Sequence, residues 1–130
     1  MANTFKVSTR NQVATAVSDN TAPIYTAPTS PSTTTIVLSL LLSNIHTTSI
    51  KVSVVLSSDT ALSTNAGQNQ NVNSGANEDV HIIKNVTVEE ETSLEIMSGQ
   101  KYVLQPTDII KVYADNTNVD VVLSYMEITP

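Results

Sequence analysis

The stretch TTIVLSLLLSNIHTTSIKVSVVL, Thr34 to Leu56, holds two apolar runs separated by a short polar break. The first, Thr35 to Leu42, is the most apolar segment of the chain. The second, Ile50 to Leu56, alternates apolar and polar residues. Period two places Ile50, Val52, Val54 and Leu56 on one face and Lys51 and Ser53 on the other. A helix competes for Ile36–Leu42, but the run is short for one, and its Thr flank and β-branched start favour a strand. It is also too short to cross a bilayer. The pair therefore predicts a strand, a turn at Asn44–Ser49, and a second strand.

Composition extends this reading to the whole chain. The 130 residues suit one domain with a real core. Only 14% of residues are charged, so surface polarity must come from Ser, Thr, Asn and Gln. That palette suits strands and turns better than helices. The net charge of −6 and six scattered basic residues leave no basic patch, which argues against nucleic-acid binding. The chain has no cysteine, so disulfides and thiolate metal sites are excluded. The first residues lack the apolar core of a secretion signal. The absence of tryptophan and scarcity of other aromatics argue against a sugar platform.

Outward from the central pair, residues 1–22 form an N-terminal arm with weak strand candidates at Phe5–Val7 and Val13–Val17. It adds a strand to the domain or reaches onto a neighbouring subunit; both readings stand at this point. Residues 23–33 hold three of the five prolines and read as an edge segment with a short strand at Ile24–Thr26 and a turn at Thr29–Thr33. Residues 57–79 form a polar loop dense in Asn, Gln and Ser. Strands are then predicted at Asp79–Val88, with a bend at Asn85, and at Ser93–Met97, Lys101–Leu104, Ile109–Ala114 and Val119–Ile128. The last is apolar on both faces. The sum is an all-β, single-domain antiparallel β-sandwich, jelly-roll-like, of about eight strands, comprising the arm at 1–22 and the sandwich at 23–130.

Sites for chemistry are sparse. His46 and His81 lack metal-ligand spacing. Glu89-Glu90-Glu91 with Glu95, and Asp115–Asp120, lack the ordered Asp, Asn and Gly of a calcium loop and read as a solvated rim and an Asx-rich turn. No Gly-x-Ser-x-Gly or catalytic triad order occurs. No catalytic residue, metal or cofactor is assigned.

Several segments carry a resemblance: Met1–Lys6, Ile24-Tyr25-Thr26-Ala27-Pro28, Leu41-Leu42-Ser43-Asn44-Ile45, His81–Val88, Leu104–Ile110 and Val122–Thr129. Their order resembles small virion structural proteins of tailed bacteriophages, many from marine and cyanobacterial phages. In that group a YTxP turn precedes a hydrophobic strand, an xSNI turn follows, and the chain closes on LExxDxIxVxA…VxxSxxEIT. The turn at Thr29–Ser32 and the Asn/Gln-rich loop depart from the pattern. The resemblance implies a non-enzymatic virion protein, foremost a capsid decoration, or cement, protein lying over capsomer junctions. A neck, tail or baseplate component, or a receptor-binding module, is the alternative. It implies the major capsid protein or other virion proteins as partners, and a homo-oligomer, expected as a trimer at a local three-fold axis. The interaction candidates are Phe5, Val7 and Arg10 in the arm and Asn69, Asn71 and Asn73 in the loop. Deleting residues 1–22 is expected to leave the sandwich folded.

Overall fold

The computed structural model describes residues 2–58 and 78–130. Among the described residues nine strands follow one another: β1 (Ala2–Arg10), β2 (Pro23–Thr26), β3 (Thr34–Asn44), β4 (Ile50–Ser58), β5 (Glu78–Val88), β6 (Ser93–Glu95), β7 (Tyr102–Leu104), β8 (Ile109–Ala114) and β9 (Val119–Thr129). They form two sheets, β1-β9-β3-β6 with β7 also on β3, and β2-β8-β4-β5, with all strand pairs antiparallel.

β6 pairs with Leu41–Ser43 and β7 with Thr35–Val37, so the two share one position beside β3. Counting them as one leaves eight positions in the orders 1-8-3-6 and 2-7-4-5. That is jelly-roll wrapping, as expected from the sequence. The sequence predicts a longer strand at Ser93–Met97, but β6 stops at Glu95. Met97 turns into the core, and Gly99 takes a φ of +83°, open to a residue without a Cβ.

Period-two burial makes the core. Val37, Leu40 and Leu42 of β3 and Val119, Val121 and Leu123 of β9 face Ile50, Val52 and Val54 of β4 and Ile110 and Val112 of β8. Burying each large side chain contributes roughly 1.5–3 kcal/mol. A register shift between Val37 and Ser39 keeps β3 inward-facing on both sides of Leu38.

The N-terminal segment takes the first of its two alternatives. β1 is much longer than Phe5–Val7 and pairs along β9 without a register shift. The strand expected at Val13–Val17 reduces to one bridge, Ala14 to Tyr113. Val13 nevertheless joins the core, and the Val112 and Ala114 amides donate to the carbonyls of Ala22 and Ala14, each at 3.0 Å. The polar segment expected over 57–79 is shorter at both ends, because Ser57 and Ser58 close β4 and Glu78 and Asp79 open β5.

Candidate interaction surface

β1 carries its apolar residues on the outside. Its register sets Lys6 opposite Tyr125 and Ser8 opposite Leu123, both inward residues of β9, so Thr4, Lys6, Ser8 and Arg10 point inward. Asn3, Phe5, Val7 and Thr9 therefore point away from the core. Phe5 is 72% exposed and Val7 63%. Phe5 lies beside Met126, Met126 beside Ile36, and Ile36 beside Val103, which is 57% exposed. One apolar row thus crosses four strands at spacings of about 4.8 Å. A parallel row runs Thr9, Val122, Leu41 and ends on the exposed Glu95 of β6, and a third runs Asn3, Ile128, Thr34. The paired outward positions of β1, β9 and β3 carry no cation. Asp120, at one end of β9, is their only charge.

Polar contacts beneath this face hold β1 in place. Lys6 Nζ lies 2.8 Å from Glu127 Oε1, and the Tyr25 hydroxyl donates to Glu127 Oε2 at 2.7 Å. The same hydroxyl is 2.8 Å from Thr35 Oγ1, and the Tyr25 and Tyr125 rings tilt together with centroids 4.5 Å apart. Burial pushes the Glu127 carboxyl up. The Lys6 and Tyr25 hydrogen bonds and the Lys6 charge outweigh it and hold the group below the usual glutamate value. Glu127 in turn raises Lys6. Burial, first among several causes, pushes the Tyr25 hydroxyl well above its usual value.

Of the sequence candidates, Phe5 and Val7 come together on the outer face. Arg10 does not join them: it is directed inward, and its guanidinium donates to the Thr21 carbonyl and, at 3.0 Å, to the Pro23 carbonyl. It fastens β1 to the entry of β2. Asn69, Asn71 and Asn73 lie outside the described residues. Sequence reasoning missed Ile36, Val103 and Met126. The signal for Met126 was the two-sided apolar character of β9, which reads equally as double burial; Ile36 and Val103 lie on β3 and β7 and join it only through the strand register.

The opposite sheet is dressed differently. Asp79 meets Lys111 at 3.4 Å, and His81 Nε2 lies 2.8 Å from the Tyr113 hydroxyl. These polar groups flank outward-pointing Val55, which is fully buried between its register partners Lys111 and His81. Glu89–Thr92 forms an exposed turn closed by Thr92 on the Glu89 carbonyl. Beside it lies a shallow, open depression of about 300 Å³ lined by Ser43, Asn44, Ile45, Glu91, Thr92 and Ser93. Among the described residues, no three His, Cys, Asp or Glu side chains gather as metal ligands would. The outer face of the β1-β9-β3 sheet is thus apolar along its central row, with Asp120 and the Glu95 of β6 as the charges among its paired outward positions.

No family model matches the chain, and neither a curated protein nor a solved structure matches it.

Proposed function

We propose that the protein is a structural component of a tailed-bacteriophage virion, and specifically a decoration protein that binds over capsomer junctions through the outer face of the β1-β9-β3 sheet. The observation that carries this reading is the Phe5–Met126–Ile36–Val103 row, an apolar strip across one whole sheet of a small acidic domain. Such strips on soluble domains serve as contact surfaces. The resemblance to small virion proteins supplies the setting. The jelly roll is compatible with it, since that wrapping recurs in viral capsid domains, although the fold alone assigns no function.

Each copy adds a modest contact, and repetition over the lattice multiplies it. The role is non-catalytic: the chain's work is to add contact area between shell subunits. The major capsid protein is the partner.

Copy number per particle tests the reading. Quantitative mass spectrometry of purified virions, referenced to the major capsid protein, is expected to give copies in proportion to the capsomers. A number on the order of a dozen would overturn decoration and leave a neck, tail or baseplate part.

A further inference from the structure

β1 is the outer strand of its sheet and bonds only to β9, so its alternate amides and carbonyls face outward along its length. The other sheet edges among the described residues are blunted. β6 and β7 have three residues each and interrupt one another. β2 has four residues, begins on Pro23, and shifts register before Tyr25. β5 is long, but it shifts register twice against β4, and Asn85 sits at a φ of +52°. β1 alone is long, regular and free of proline.

We infer that β1 pairs antiparallel with β1 of a second copy across a two-fold axis at Phe5, joining two β1-β9-β3 sheets into one. The partner is a second copy because no other described edge matches β1 in length and regularity. An edge that matches only itself closes on itself, giving an isologous dimer and not a ring. This two-fold replaces the three-fold expected from the resemblance.

Charge and side-chain size select the register. A seam centred on Lys6 would set two ammonium groups directly opposite each other. Centred on Phe5, the pairing sets Phe5 against Phe5, Lys6 against Thr4 and Val7 against Asn3, and each lysine keeps its own Glu127. β1 has no acidic residue, so two bodies of net charge −6 meet where neither presents a carboxylate from this strand. The two Phe5 rings also bring the apolar rows of both copies into one line across the axis. Seven paired residues give a seam about 24 Å long. A seam one strand wide buries less than the roughly 800 Å² per partner of a standard interface, so the free dimer is weak, with a Kd of about 1 μM to 1 mM.

This inference does not rest on the virion reading, and the purified full-length chain tests it. Sedimentation of the wild type is expected to show monomer passing to dimer across that concentration range, and Phe5→Lys is expected to weaken association by roughly tenfold or more. Phe5 is exposed in the monomer, so Phe5→Lys should keep its thermal midpoint, which is measured alongside. The chain has no cysteine, so single cysteines report register. Phe5→Cys is expected to cross-link on mild oxidation, with Cα atoms about 4.5–5.5 Å apart. Lys6→Cys should not, because its diagonal partner lies about 7–8 Å away. A wild-type chain that stays monomeric to ~1 mM, dimerisation untouched by Phe5→Lys, or faster cross-linking at position 6 or 7 than at 5 would each overturn the pairing. None of these outcomes changes the virion copy number, which decides the proposed function separately.

Discussion

A carboxylate in the inward row of β9 is tolerable only because other groups meet it. Glu127 is 8% exposed and answers both the Lys6 ammonium and the Tyr25 hydroxyl. Its folded pKa lies below its unfolded value, so its stabilisation is present above the ordinary glutamate pKa, about 4.3, and is lost as pH falls through the folded value. Lys6 behaves in the opposite sense: its raised pKa means that its contribution fades only as pH climbs through the folded value. Glu127→Gln should therefore cost on the order of 1 kcal/mol at pH 7. Urea unfolding of both proteins should show that gap narrowing towards pH 3, and a gap constant with pH would show that the charge contributes nothing. Asn44, 2% exposed, is the other polar residue on which packing depends. Its side-chain amide donates to the carbonyls of Thr48, Val88 and Glu89, and its oxygen accepts from the His46 amide. Asn44→Ala strands those groups at the end of the sandwich, and a loss of about 2–3 kcal/mol in denaturant unfolding is expected. The alternation of β9 already puts Glu127 in the inward row with Tyr125 and Leu123. What one sequence cannot supply is that positions 6 and 25, more than a hundred residues away, complete the cluster.

Strands declare themselves when their own residues form the core, and β1 shows the converse. β3, β8 and β9 read clearly because period two coincides with burial, whereas β4, in the middle of its sheet, is buried on both faces from Val52 to Val55. β1 alternates too, but with its phase inverted: Thr4, Lys6, Ser8 and Arg10 are inward, and Phe5 and Val7 outward. It is a strand because β9 offers a regular edge and Glu127 binds Lys6, both long-range facts. The bend at Asn85 was legible because Asn tolerates positive φ. Its effect on β5 was not, since it depends on β4: the Asn85 amide donates to Ser53 Oγ at 2.9 Å where the β4–β5 register slips. This bulge disrupts an edge that would otherwise template pairing. Asn85→Gly should be nearly neutral, whereas Asn85→Val, β-branched at a φ of +52°, should cost about 1–3 kcal/mol. Equal thermal midpoints for the two variants would mean that the left-handed turn is not retained in solution.

For the whole molecule, the N-terminal segment is part of the sandwich. The sequence places the boundary of an arm near residue 22, because residues 1–22 contain few large apolar groups. Burial shows why composition misleads: Val13 is 2% exposed and Ala22 fully buried, and Arg10 ties the segment to the entry of β2. Small residues fill narrow gaps between sheets, where their size hides their importance. Deleting residues 1–22 therefore removes a core side chain, uncovers β9 from Val121 to Thr129, and breaks the Lys6–Glu127 pair. The lost packing at Val13 should cost a few kcal/mol, and losing the whole β1–β9 pairing adds to it. Against a total stability of about 5–15 kcal/mol, the truncated chain should be largely unfolded or aggregated through β9, and circular dichroism with sedimentation will show it. A truncation that melts within a few degrees of the full chain would contradict this assignment of the segment to the fold. The deletion cannot serve as a test of docking, because loss of assembly would follow from loss of fold. Phe5→Lys, which changes only the outward face, separates the two.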